Sequence, residues 1–279
     1  MQRNFRRRII RIFDILAANG RIKTTLLSEM LDVSLVTLRK DLHSLEKRGI
    51  IHRSRGFVGL EGADNTSKRL AYYYSIKQRI AQAAAQTVEE NETVMLESGS
   101  CCALFAEELA LAGKNATIVT NSLFVAYFVR HLSNINIILL GGKFQPESRV
   151  LIGPMVAKYA ENLFVDKIFL GANGFIPGQC FTGGNYLHAE TAVGLVNCAK
   201  KVYILTEAAK FNRRGAYSQI PLDKITGVYT DDKIPKEAET DLINHNVLLH
   251  KVPAVEEKIK WCRFPGFSPF LYKEKGDCY

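Results

Sequence analysis

The stretch VSLVTLRKDLHSLEKRG, residues 33–49, carries a helix together with its start and its stop. Ser34 is an N-capping residue type, Leu35, Leu38, Leu42 and Leu45 recur at helical spacing, and Gly49 ends the run. With the leucine stripe turned inward, Val36, Thr37, Arg39 and Lys40 occupy the other faces of its N-terminal half, where a recognition helix meets DNA. An arginine offers two parallel N–H donors to a guanine edge, so Arg39 is the expected base reader, whereas Thr37 and Lys40 suit phosphates. An ordinary surface helix has no need to gather its basic residues in the first two turns.

Upstream, Leu26, Leu27, Met30 and Leu31 form a second helical pattern that Asp32-Val33-Ser34 interrupts, which makes helix, short turn, helix. Before that, Ile9, Ile12, Phe13 and Leu16 lie at helical spacing among Arg6, Arg7, Arg8 and Arg11, so residues 4–18 read as an amphipathic helix ended by Asn19-Gly20. Downstream, Ile50 to Leu60 reads as two short strands about Ser54-Arg55-Gly56: a wing that offers Arg53 and Arg55 to phosphates.

The charge follows the same division. Residues 1–62 hold 13 Lys+Arg against 6 Asp+Glu, a balance of +7, while residues 63–279 hold 24 against 22, a balance of +2. A basic excess confined to one small segment fits a module that neutralises phosphates, so double-stranded DNA is the expected partner. A solvated basic tail explains the charge and leaves the helical periodicity unexplained.

The chain has 279 residues, 47% hydrophobic and 23% charged, which excludes a disordered or collagen-like protein and predicts two domains. Its longest uncharged stretch, 168–187, is broken by Pro177 and by Gly171, Gly174, Gly178, Gly183 and Gly184, so no membrane span is expected. Six cysteines without a C-x-x-C pair, and a start (MQRNFRRRII) lacking an apolar core, point to a reducing cytoplasm.

The expected division is a DNA-binding module over 1–62, a linker over 63–75 opening with small polar residues, a larger domain over 76–252 and an aromatic extension over 253–279. In the larger domain TVMLE, ATIVT, INIILL, VDKIFLG, KVYILT, KITGVYT and NVLLH read as strands. Helices are expected over 102–112, 122–132, 154–162, 186–199 and 235–244. The fold class is therefore α/β, with a doubly wound, mostly parallel sheet. Ligands in such sheets bind beyond the carboxyl ends of the strands. Those ends carry Glu97-Ser98-Gly99-Ser100-Cys101, Thr120-Asn121-Ser122, Gly141-Gly142-Lys143, Gly171-Ala172-Asn173-Gly174 and Thr206 to Lys210. Gly99-Ser100-Cys101 before a helix suits an anion, because free backbone N–H groups and the helix dipole both face it.

Residues 20–56, and 33–49 above all, resemble the winged helix-turn-helix of the DeoR family of bacterial transcriptional regulators. The resemblance implies that Ser34, Thr37, Arg39 and Lys40 lie on the DNA-reading helix and that Asp41, Leu42 and Leu45 brace it. Lys23 stands where the family usually has a small N-capping residue, with Thr24 as a substitute, and Phe57 replaces a wing glycine. The larger domain resembles the family's sensor domain, related in fold to ribose-phosphate isomerases, glucosamine-phosphate deaminases and CoA transferases. The landmarks are LESGS, VTNS, LLGG, Gly153, FLGANG, the Glu190 segment and AKF.

By that resemblance Gly99, Ser100 and Cys101 form a phosphate loop, and Glu97, Thr120, Asn121, Gly141, Gly142 and Lys210 line other sides of the pocket. The implied effector is a phosphorylated sugar, with Lys210 pairing its charge and Glu190 near its hydroxyls. Glu97 replaces the usual Asp, and Cys101 and Cys102 stand where threonines are common; a thiol donates a poorer hydrogen bond, which predicts weaker phosphate affinity or a different effector. The resemblance further implies a repressor of a carbohydrate-utilisation operon; a homo-oligomer is expected because symmetric operators pair with symmetric proteins, and no cofactor is expected. The enzyme alternative is a sugar-phosphate isomerase or deaminase, and a non-specific architectural DNA binder is the third reading. Cys101-Cys102 with His188 as a thiol nucleophile lacks a base placed by spacing, and His188 with Glu190 or Cys180 lacks metal-ligand spacing, so neither catalysis nor a metal is expected.

Overall fold

The computed structural model describes residues 2–60 and 65–254; the join at 61–64 and the aromatic extension from 255 onward, with Trp261, Phe264, Phe267, Phe270, Leu271 and Tyr272, lie outside the described residues. The N-terminal module runs α1 (Gln2–Asn19), β1 (Arg21–Lys23), α2 (Thr24–Leu31), α3 (Leu35–Lys47), β2 (Ile51–Ser54) and β3 (Phe57–Leu60). Ser34 caps α3 as its residue type requires, its Oγ accepting from Thr37 N at 3.2 Å. Lys23 gives α2 no side-chain cap; instead Thr24 N donates to Gly56 O of the wing turn at 2.8 Å. Leu38, Leu42 and Leu45 are fully buried, each contributing about 1.5–3 kcal/mol by leaving water, while Leu35 is only half-buried. The wing carries a third strand, in the antiparallel order β1-β3-β2.

The linker is helical where it is described. α4 (Asn65–Ala71) and α5 (Tyr74–Ala85) join the modules, and Thr66 and Ser67, which composition assigns to a solvated turn, are fully buried. The reason is tertiary: Thr66 Oγ1 donates to Ser148 O at 3.4 Å and Ser67 Oγ to Gly49 O at 3.4 Å, so their hydroxyls are satisfied by the domains on either side.

The larger domain continues β4 (Thr93–Leu96), α6 (Ser100–Leu111), β5 (Ala116–Thr120), α7 (Leu123–Val129), β6 (Ile135–Leu139), β7 (Lys143–Gln145), β8 (Val150–Ile152), α8 (Pro154–Ala160) and β9 (Val165–Leu170). It ends with β10 (Gly174–Ile176), β11 (Cys180–Gly183), α9 (Tyr186–Val196), β12 (Ala199–Leu205), β13 (Tyr217–Pro221), β14 (Gly227–Asp231), α10 (Lys236–Asn244) and β15 (Leu248–Val252). The seven expected strands form one sheet, parallel at every pairing, in the order β15-β14-β12-β9-β4-β5-β6. The hairpin β7-β8 and the antiparallel sheet β10-β11-β13, which are not among the expected strands, are additions to it.

Alternation along the strands feeds two cores. Val94, Leu96, Phe169, Tyr203 and Leu205 face one cluster with α5 and α6, whereas Met95, Ile168, Leu170, Val202 and Ile204 face the other with α8 and α9. The first cluster also takes in Ile9, Ile12, Phe13, Leu38 and Leu42, so the N-terminal module shares a core with the sheet's helices. Phe13 meets Tyr74 with ring centroids 4.8 Å apart, and Arg48 pairs with Glu107 at 2.7 Å while its guanidinium lies over the Phe128 ring. The order of the central sheet reverses between β4 and β9: the chain steps from β4 outward to β5 and β6, then returns to β9 on the other side. A crevice belongs at that switch point.

Candidate nucleic-acid interface and effector cavity

Val36, Arg39, Lys40 and Arg55 are exposed, with Val36 at 63%, and among the described residues neither Arg39, Lys40 nor Arg55 makes an ion pair. Arg55 sits at φ 44° and Gly56 at φ 80°, the left-handed pair of a tight wing turn that holds the Arg55 side chain at its tip. Ser34 and Thr37 serve first as cap, their hydroxyls 3.0 Å apart. Arg53 is engaged: its Nε donates to Glu46 Oε2 at 2.9 Å, and this bond holds the Glu46 carboxyl below the usual glutamate range. The sequence reading missed Arg21, whose guanidinium lies 4.3 Å over the Phe57 ring; Phe57, the departure in the wing, is the platform for another exposed cation.

Other arginines of the basic module hold the fold. Arg8 grips the buried Asp41 carboxylate of α3 at 2.6 and 3.2 Å, and Arg11 donates to Met30 O at 2.8 Å. Arg6 lies 3.5 Å from Glu108 of α6. The balance of +7 therefore overstates what the module presents to DNA.

At the switch point the structure has a cavity of about 60 Å³. Gly99 and Gly171, after β4 and β9, form its floor: a Cβ on Gly99 would sit 3.2 Å from Gly171 Cα, so these strand ends touch backbone to backbone. Gly99 caps α6 without a side-chain bond, which leaves the first-turn N–H groups of that helix directed at the cavity. Glu97, Ser100, Cys101 and Lys210 are also on its wall, as expected, and they are joined by Arg69, Lys77, Asn173, His188, Glu207 and Gln219.

The electrostatics are mixed. Lys77 and Lys210 flank the same Glu207 oxygen at 3.8 and 3.9 Å. Burial works to raise the Glu207 pKa, but Lys77 and Lys210 outweigh it and the group titrates below the ordinary value. Burial lowers the Lys210 pKa, and the neighbouring cations Lys77, Arg213 and Arg69 lower it further against the pull of Glu207. Thr206 Oγ1 and Gln219 Oε1, both buried on the wall, have no hydrogen-bond partner among the described residues. Such a wall offers cations to an anion and acceptors to hydroxyls.

The thiols do not supply a nucleophile. Cys101 is pushed up to about 12 by burial and by Glu207, and burial raises Cys102 well above the ordinary thiol, so both stay protonated at neutral pH. His188 is engaged with Gln145 Oε1 and lies 3.3 Å from Ser148 Oγ.

Five expected site residues are not brought to the cavity wall. Thr120 Oγ1 accepts from Ser122 N at 3.1 Å, and Asn121 Nδ2 donates to Leu151 O at 2.9 Å, which stitches the end of β5 to β8. A Cβ on Gly142 would lie 2.6 Å from Val156 Cγ2, and one on Gly141 would lie 3.3 Å from the Tyr159 ring, so these glycines permit close packing on α8. Glu190 is exposed on α9; from that helix it is His188 that reaches the wall. Arg69 and Lys77 escaped the sequence reading because Arg69 lies in the linker and Lys77 on α5, and neither stands at a strand end.

A model of the DeoR-like helix-turn-helix domain matches residues 8–62, and a model of the DeoR C terminal sensor domain matches residues 73–232. The chain belongs to the DeoR family. The HTH-type transcriptional regulator GolR of Listeria innocua is 31% identical over 230 residues, 81% of this chain and 90% of the relative. The HTH-type transcriptional repressor GlcR of Bacillus subtilis is 29% identical, covering 86% and 93%. The L-fucose operon activator of Haemophilus influenzae is 23% identical, covering 82% and 93%. These DeoR-family relatives are named as transcriptional regulators, and among the described residues no helix is long and apolar enough to cross a membrane.

Proposed function

We propose that this DeoR-family protein represses a carbohydrate-utilisation operon. It binds a double-stranded operator through α3 and the wing, as a homo-oligomer, because paired half-sites call for paired readers. A phosphorylated sugar-like effector in the switch-point cavity controls that binding by favouring one arrangement of the chain over another. The observation that carries this reading is the meeting of Lys210, Lys77 and Arg69 with the uncapped start of α6, beside the acceptors Glu97 and Glu207. Cations and amides suit the phosphate; carboxylates and the unpartnered Thr206 and Gln219 oxygens suit sugar hydroxyls. Two relatives, one named a repressor and one an operon activator for a sugar, support the class of regulation.

The test is a thermal-shift screen of sugar phosphates on the full chain, followed by operator binding with each hit. Lys210→Ala is expected to weaken the effector by about 1.5–3 kcal/mol, the worth of a charged hydrogen bond, while operator affinity without effector is unchanged. Retained effector affinity would remove Lys210 from the site. Arg39→Ala is expected to cost about 1–3 kcal/mol at the bases it reads and to relax discrimination there. A binding-site selection that returns the same preference for variant and wild type overturns that assignment.

A further inference from the structure

Arg69 and Lys77 are cavity residues carried by α4 and α5, the helices that connect the DNA-facing module to the sensor domain. Lys77 is 3% exposed, and its ammonium ties the turn between those helices by donating to Arg69 O and, at 2.8 Å, to Tyr72 O, with Glu207 beyond. Arg69 Nη2 donates to Thr66 Oγ1 at 3.2 Å. From there two short routes reach one backbone oxygen, Gly49 O, one residue past the C-cap of α3. Ser67 Oγ donates to it at 3.4 Å; Arg149 donates to it from both Nη atoms at 3.3 Å and to Ser67 Oγ at 2.8 Å. The opposite wall of the cavity leads to the same place, since His188 contacts Gln145 and Ser148, and Ser148 O accepts from Thr66 Oγ1.

At about 60 Å³ the cavity has room for roughly four to six waters by the usual measure, so a phosphoryl group fits against its wall. The floor is two strand ends of the central sheet, fixed by neighbours on both sides. The wall formed by α4 and α5 is packed in the core through Leu70, Ala71, Ile80 and Ala84, and its polar contacts, to its own turn and to Ser148 and Gly49, are what tie the cavity to the N-terminal module.

We propose that Arg69 and Lys77 bind the anionic group of the effector directly, so that filling the cavity repositions the joint that holds Gly49 and thereby the recognition helix. Effector and DNA are then coupled through contact with the joint itself. This rests on the cavity being the effector site, and the experiment separates the two claims.

Inorganic phosphate is the probe, titrated into the full chain by calorimetry, with amide hydrogen exchange followed at saturation. Phosphate is expected to slow exchange over residues 66–77 as well as over 99–103. Arg69→Gln is expected to weaken phosphate roughly tenfold or more, with Arg69→Lys recovering part of the loss. Arg149→Gln, which does not touch the cavity, is expected to keep phosphate affinity and lose most of the effect of a sugar-phosphate hit on operator binding. Protection confined to 99–103, or an Arg69→Gln chain that binds phosphate like wild type while Lys210→Ala does not, overturns this inference and leaves the cavity as the site. A wild-type chain that neither phosphate nor any sugar phosphate protects overturns both. The exchange measurement needs wild type alone and so decides the matter even if Arg69→Gln does not fold.

Discussion

Operator affinity is expected to fall about a thousandfold between 50 and 200 mM salt. Arg21, Lys40 and Arg55 are exposed and suited to phosphates in each module, and two modules on a symmetric operator give six contacts. Displacing the counterions of roughly six phosphates produces a loss of about 10³ over that range. The arginines that pair internally, Arg6, Arg8, Arg11, Arg48 and Arg53, add nothing to the slope in this account. A flat salt response is incompatible with the basic face. A slope far steeper than six contacts allow means that Arg53 leaves Glu46 to join the phosphates, and Arg53→Gln would then flatten it.

Asp41→Ala is expected to destabilise the N-terminal module by about 3 kcal/mol, the low end for removing one partner of a buried pair, because the Arg8 side chain keeps 23% exposure and recovers some hydration. Asp41 is 4% exposed and takes both Arg8 donors, so it fastens α3 to α1. Chemical denaturation measures the loss. Restoring most of it with Arg8→Met in the Asp41→Ala background is the expected sign that the cost lies in the stranded guanidinium; a loss below about 1 kcal/mol would show the pair to be a surface contact in effect.

The recognition helix was legible because everything that makes it is local: the Ser34 cap, the leucine spacing and the Gly49 stop lie within seventeen consecutive residues. The seven strands of the central sheet were legible for the same reason, each being a short apolar run bounded by turn residues. The hairpin β7-β8 was not, since Lys143–Gln145 and Val150–Ile152 are too short to show a period. Of the cavity, the loop after β4 and Lys210 could be placed by the strand-end rule. Thr120, Asn121, Gly141 and Gly142 satisfy that same rule and yet are not on the cavity wall, because β8 pairs onto the end of β5 through Asn121 and Ser122 and α8 packs on the two glycines.

Local chemistry by itself determined the helix-turn-helix, the strands of the central sheet, the two-module division and the concentration of positive charge at the N-terminus. Tertiary structure alone decided which of those charges are spent on Asp41, Glu46, Glu107 and Glu108, and which remain for DNA. It also decided that Arg69 and Lys77 meet Glu207 and Lys210 across more than a hundred residues. Periodicity and capping act over one or two helical turns, whereas the company a charged side chain keeps is set by the order of strands and the packing of helices, which no neighbouring residue encodes.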